Sequence, residues 1–345
     1  MENLPPRVIF AGQLSRDYAI FSNVETGDRY IALDVPGGNL VYAAVGYAVW
    51  EPSPSPGLIA RVGEDYPQEW LGTYKRRGFD TRGVRVLPEA MDLRSFFVYT
   101  SSTTRVTDDP VSYFADLGIP FPKALLGYRR SPATSLDSRT RLNPYSLRQS
   151  DIPVEYLDAS AAHLCPLDFL THSLVPAILR QAGINTLTLD PSAGYMNPIY
   201  WNDIAALLTG LTAFMPSEEE ARALFHGRSS DLWQMAEALA AYGCEVIVIK
   251  RGGNGQIVYD AAHRLHWEIP AYPARLVDPT GVGDAFAGGF LAGYRRAYDP
   301  LEAALYGSIS ASLTIEGHGT LYALDALPGL AQARLEALRS AVRKV

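Results

Sequence analysis

Cysteine is almost missing from this chain. Only Cys165 and Cys244 occur among 345 residues, far apart and outside any Cys-x-x-Cys spacing, which excludes a disulfide scaffold and a cysteine-based metal cluster. The six histidines form no zinc-ligand pattern, and the one close pair, His263-x-x-His266, reads as a surface feature. Positive charge is also short. The formal net charge of −7 argues against a nucleic acid or an anionic membrane as partner and leaves a small molecule. No apolar run approaches the roughly 20 residues of a membrane-spanning helix. The opening "MENLPPRVIFAG" lacks the basic segment and long apolar stretch of a signal peptide. A soluble, cytoplasmic protein is the expectation. There is also no Gly-Lys-Ser/Thr of a P-loop and no Gly-x-Ser-x-Gly elbow.

What is abundant is apolar: 48% of residues are hydrophobic, enough for a large core. A single core stops growing near roughly 250–300 residues, so a chain of this length suggests one main body with a smaller unit or lid. Buried-type strands at "RVIFAG", "GLIARVG", "NTLTLD" and "EVIVIK" alternate with helical stretches at about Pro67–Arg77, "SLVPAILRQAG" and "DLWQMAEALAAYG". In the first of these helices Asp65 is the expected cap and Gly78 the stop, with Trp70, Leu71 and Tyr74 toward the core. This alternation implies an α/β fold with a mainly parallel sheet covered on both faces. Two stretches break the rhythm. Residues 18–38 and 93–107 read as short antiparallel strands of a small sheet, with a Thr-Gly-Asp turn in the first, forming a lid across the strand ends of the main sheet. Residues 108–150 read as a long irregular excursion. Its Arg129, Arg130, Arg139, Arg141 and Arg148 either meet an anionic substrate or belong to a solvated loop, the second being the simpler reading.

The chemistry concentrates in "LVDPTGVGDAFAGGFLAGY", Leu276 to Tyr294. "ARLV" reads as a strand ending at Asp278, and Ala285 to Arg295 as a helix with Phe286, Phe290 and Tyr294 toward the core. Between them, Gly281 and Gly283 permit unusual backbone conformations and close approach of a ligand. The amides of Gly281, Val282 and Gly283 would face outward at the positive end of the helix dipole, where an anion binds. Asp284 follows on the first turn, and two readings fit it. It is an ordinary first-turn acid, worth ~0.3–1 kcal/mol. Or it is a base that takes a proton from a substrate hydroxyl while the amides stabilise a transferring phosphoryl group. "GVGDAF" lacks the third Gly of a dinucleotide fingerprint.

"DPTGVGDAFAGGFLAGY" resembles the second signature, D-x-T-G-A-G-D, of the PfkB, or ribokinase-like, carbohydrate kinases, with Val282 in place of the commoner Ala. The likeness runs in the family's motif order from about Val8 to Thr320. It implies a ribokinase-like three-layer α/β/α fold, a single kinase domain over residues 1–345 with the lid strands inserted in it. It also implies ATP-dependent phosphorylation of a hydroxyl on a sugar or similar small molecule, with Asp284 as base and the amides of 281–283 as anion hole.

Other segments carry the likeness further. "AGQLSRDYAI" resembles the family's first strand, which ends in a substrate-binding Asn-x-Asp, here Ser15 and Asp17. "PGGNLVYAAVGYAVW" resembles the first signature. Gly37, Gly38 and Asn39 match it, whereas Leu40 replaces a Gly and Tyr42 a substrate-binding Asn, which points to a differently shaped or more apolar acceptor than ribose. "AFMPSEEEARAL" resembles the Asn-x-x-Glu segment, with Ser217 for Asn and Glu220 for the acid that organises magnesium; the same spacing is also a capping box. "VIVIKRGGNGQIVYD" reads as a hairpin, and the resemblance puts its Lys250, Gly252 and Gly255 beside the nucleotide phosphates. "ALYGSISASLTIEGHGT" reads as a helix whose small residues allow close approach, and the resemblance makes Ser308 an adenine-side contact. Asp278, followed by Thr280, is a candidate for a monovalent cation such as K+, as in several relatives. The implied cofactors are ATP and Mg2+, and a homodimer through the lid is an implied assembly.

Three readings stay open. The acceptor is a sugar or sugar-like, or it is a nucleoside or vitamin precursor whose ring Tyr42, Phe96, Phe97 and Tyr99 would stack. The third is a ligand sensor that keeps the fold without turnover, suggested by Ser15, Leu40, Tyr42 and Ser217. Asp284 and its glycines argue against the sensor, which has no use for a base.

Overall fold

The computed structural model describes residues 5–22, 29–100, 104–129 and 137–344. Its main sheet has ten strands among the described residues. Seven run parallel, in the order β5 (Asp80–Val86), β4 (Gly57–Val62), β1 (Val8–Ala11), β8 (Ala161–Leu164), β9 (Thr186–Leu189), β10 (Ala213–Phe214) and β11 (Val246–Lys250). β12 (Gln256–Asp260), β13 (Leu265–Ile269) and β14 (Arg343–Lys344) extend it antiparallel.

Alternation along the central strands builds two cores. In β1, Val8 and Phe10 point to one face and Ile9 and Ala11 to the other, all of them buried. The first face is covered by helices Asn39–Ala48, Val282–Ala297 and Pro300–Thr314, and the second by Phe169–Gln181, Trp201–Leu208 and Leu232–Ala240. That is the three-layer α/β/α arrangement expected from the sequence. The helices on the first face touch backbone to backbone: a Cβ on Gly288 would lie within 1.7 Å of the Ala43 carbonyl. No described helix is long and apolar enough to cross a membrane.

A second sheet has the order β3 (Arg29–Gly37), β2 (Ser15–Ser22), β6 (Arg94–Tyr99) and β7 (Arg105–Val106). It departs from the expected antiparallel pattern, because β2 and β6 pair in parallel. They are joined through the main body rather than by a hairpin, which permits that direction. The expected Thr-Gly-Asp turn and Arg130 lie outside the described residues. One face of this sheet presents Tyr18, Ile20, Phe96 and Val98, packed against Phe114 and Leu125. Those two belong to the stretch expected to be irregular. It instead holds helix Pro110–Asp116, started by the Asp109 side chain on the Ser112 amide with Pro110 in the first turn, and a short 3-10 turn at Lys123–Leu125. The exposed sheet face it covers is the reason this polar-looking segment folds. Arg139 in the same stretch is used in an ion pair with Asp203.

Two smaller expectations are corrected. The helix after β4 runs Gln68–Arg76 with Pro67 at its start, and Asp65 does not cap it but accepts from the Met91 amide. Tyr74 is fully buried as expected, with Trp70 and Leu71 partly so. "ARLV" forms no strand. β12 already occupies the place beside β11, so the segment runs outside the sheet, with the Val277 and Asp278 amides both donating to the Ile315 carbonyl.

Candidate active site

The site is organised by the start of helix Val282–Ala297. Gly281 precedes it at φ +71, a left-handed conformation that favours glycine, and a Cβ there would lie 2.0 Å from the Tyr42 ring. Both conditions call for glycine. Among the described residues the amides of Gly281 and Gly283 have no acceptor, so they remain available to an anion at the helix N-terminus. Asp284, on the first turn, lines a cavity of about 580 Å³ together with Ser15, Asp17, Gly38, Asn39 and Tyr42. Burial raises the Asp284 carboxyl to about 6, against the opposing pull of the Lys250 ammonium.

At the small-sheet side of this cavity, Asp17 is raised to about 6 by burial, while the Ser15 hydroxyl, donating at 2.6 Å, favours its ionised form. Its carboxylate packs where a Cβ on Gly37 would come within 2.1 Å. Ser15 and Asp17 lie on β2 of the small sheet, not at the end of a main-sheet strand as expected. Asn39 lines the cavity but its amide is used elsewhere, accepting from the Gln13 amide and donating to the Pro166 carbonyl, both at 2.8 Å. A second cavity of about 380 Å³ shares Asp17, Tyr42 and Thr280 with the first and adds Phe21, Tyr30, Phe97 and His318. Asp278 faces it, accepting from the Thr280 amide at 2.9 Å and lying 3.3 Å from His318 Nδ1; its burial raises its pKa.

On the other side of Asp284 stands Lys250, at the end of β11. Its ammonium donates to Asp190 at 2.5 Å, and its Nζ would lie 3.5 Å from a Cβ on Gly283. Burial works against the Lys250 charge, but Asp190 and then Glu220 outweigh it and its pKa is raised. Ser217 and Glu220 do form the capping box. The Ser217 hydroxyl accepts from the Glu220 amide, while Glu220 Oε2 takes both the Ser217 amide and hydroxyl at 2.8 Å. Gly252 sits in open space at φ +55, whereas a Cβ on Gly255 would strike the Ile269 carbonyl at 2.0 Å. Ser308 is in neither cavity: its hydroxyl accepts from Gln256 and donates to the Ala304 carbonyl. Glu220 belongs with Lys250, and Asp278 with Thr280 and His318, so these two metal candidates are not brought together. Among the described residues no group of three or more His, Cys, Asp or Glu could hold a metal.

Sequence reasoning missed Asp190, Arg105 and His318. Asp190 carried a usable signal, since it follows β9 at the carboxyl end of a parallel strand, where open α/β sheets bind ligands. Arg105 and His318 lie in a two-residue strand and a loop, without periodic pattern.

Residues 155–327 match the model of the pfkB family carbohydrate kinases. The chain belongs to that family. As a pfkB-family protein it is a small-molecule kinase. A cytidine kinase of Thermococcus kodakarensis is 29% identical over 303 residues, covering 86% of this chain and 90% of that protein. Two solved structures share the fold. A Burkholderia thailandensis nucleoside kinase in complex with inosine has a TM-score of 0.66 at 19% identity, covering 96% of this chain and 99% of that one. A protein from Escherichia coli in complex with ATP and Mg2+ has a TM-score of 0.65 at 17% identity, covering 97% and 99%.

Proposed function

We propose that this pfkB-family kinase transfers the γ-phosphoryl group of ATP to a hydroxyl of a sugar or sugar-like acceptor, with Asp284 taking the hydroxyl proton. One observation carries the reading: a carboxylate of raised pKa lines a cavity beside helix N-terminal amides that lack acceptors. A base titrating near 6 is mostly ionised at neutral pH and still accepts a proton more readily than an ordinary carboxylate. Gly281 and Gly283 offer open amides where charge develops on the transferring group, whereas the Val282 amide, expected to join them, donates to the Pro279 carbonyl at 3.5 Å. Asp17 accepts from acceptor hydroxyls, with Ser15, Gly37, Gly38, Asn39 and Tyr42 shaping the same end.

Bound ATP with Mg2+ supplies the phosphoryl group and the counter-charge for it. The residues present fit that pair. Lys250 and the open backbone at Gly252 lie on the phosphate side, and Glu220 Oε1 carries no hydrogen bond among the described residues, so it can hold a metal-bound water while Oε2 caps the helix. Gly255 and Ser308 are better read as packing residues. Asp278 is the candidate for a monovalent cation such as K+. Residues 1–345 act as one cytoplasmic kinase domain in this reading, and the small sheet is its lid. Its outer face is covered by Phe114 and Leu125, so two copies would pair through the edge strands rather than face to face.

A nucleoside acceptor is the second reading, supported by the likeness to the Thermococcus cytidine kinase. The test is ADP release by purified protein with Mg-ATP across sugars, sugar acids and nucleosides, with Asp284→Asn as control. Acceptor-dependent release that disappears in the variant is the expected result. Ligand binding without any ADP release would instead identify a sensor.

A further inference from the structure

The acceptor cavity holds more polar side chains than its acids, and most of them are already paired. Arg94 is held by Asp92 through two bonds of 2.7 Å and by the Ala124 and Leu126 carbonyls. The Tyr145 hydroxyl donates to the Asp92 carbonyl, and the Tyr128 hydroxyl accepts from the Phe96 amide. Arg105 differs. It lines the same cavity, yet among the described residues its guanidinium has neither a hydrogen bond nor an ion-pair partner. It is nevertheless positioned, because its Cζ lies 4.1 Å from the centre of the Phe97 ring. Two residues on, Thr107 also lines the cavity, and its hydroxyl is buried without a partner among the described residues. The buried hydroxyl left unpaired calls for an acceptor, and the guanidinium, solvent-facing and held in place by the ring, is open to one from outside the chain.

We propose that Arg105, assisted by Thr107, selects acceptor molecules that present two coplanar hydrogen-bond acceptor atoms. This rests on the reading of the cavity as the acceptor site. A guanidinium fork matches two such atoms in a plane. The chemistry has two natural sources: the carboxylate of a sugar acid and the carbonyl–nitrogen edge of a pyrimidine. A neutral sugar offers neither.

The test is calorimetric binding of gluconate, cytidine and ribose to the full chain and to its Arg105→Ala and Arg105→Lys variants, all without ATP. Thermal melting checks that each variant is folded. The wild type is expected to bind gluconate or cytidine at least about tenfold more tightly than ribose, and Arg105→Ala to reduce that preference to within about threefold. Lysine keeps the charge but loses the fork, so it restores gluconate binding in part and cytidine binding hardly at all, which separates the two sources. Equal binding of all three by the wild type would overturn the proposal, as would a preference that survives Arg105→Ala. So would a variant whose only change is the titration of Asp17 and Asp284, which would make Arg105 a compensating charge. Binding is read apart from turnover. Arg105-dependent binding without ADP release under Mg-ATP would therefore sink the kinase reading and leave the selection intact.

Discussion

The two sides of Asp284 handle charge in opposite ways. On the Lys250 side, Asp190 is matched by Lys250 and Glu220 closes a capping box with Ser217. On the small-sheet side, among the described residues, Asp17 is hydrogen-bonded through its carboxylate to the Ser15 hydroxyl, Asp284 faces the cavity, and Arg105 acts on both acids through space without an ion pair or hydrogen bond. One side has largely satisfied itself within the chain. The other leaves its donors and acceptors for a ligand, at a cost in stability, as functional sites commonly do.

The largest effect that tests this contrast comes from Asp284→Asn. Turnover should fall on the order of 10²–10⁴-fold with the fold retained, read as ADP release at saturating ATP and acceptor. Lys250→Met breaks the closed side. It should destabilise the protein by about 3 kcal/mol in urea unfolding, because it leaves Asp190 buried without its partner. The double variant Lys250→Met/Asp190→Asn should recover much of that loss; if the two losses simply add, the pair is not a closed unit. Asp17→Asn touches the open side and should raise the acceptor KM by about tenfold with little change in kcat, since it removes binding shared by ground and transition states.

Two pH effects are smaller. Burial raises Asp17 and Asp284 to about 6, and the proposed roles need both ionised, so kcat/KM should fall as pH drops through about 6 and stay level above it. An acid limb near the ordinary carboxylate value of about 4 would refute the burial argument. For stability the sign reverses. An acid whose pKa is raised on folding binds more protons folded than unfolded between 3.8 and about 6, so its contribution declines as pH rises through that window. Asp284→Asn should therefore melt at the same or a slightly higher temperature than the wild type at pH 7, while the two converge near pH 4.

The layered fold was legible because its signals are local and repeated. Buried strands such as "VIFA" and "VIVIK" and the helices between them carry their period in the residues themselves. The Gly281-Val282-Gly283-Asp284 turn was legible for the same reason: glycine, helix start and acid are adjacent in the chain. The capping box was equally local, and there the spacing alone left the two roles of Glu220 undivided.

What the sequence by itself determined was the parallel α/β body, the family likeness and the loop that carries Asp284. Only the tertiary structure decided the rest. It paired Lys250 with Asp190, laid Tyr42 over Gly281, ran β2 and β6 in parallel, and set Arg105 above Phe97 in a cavity shared with Asp17. These partners stand far apart in the chain or in segments without a periodic pattern. Burial, and with it the pKa of each acid, depends on which surfaces meet, and no local spacing encodes that.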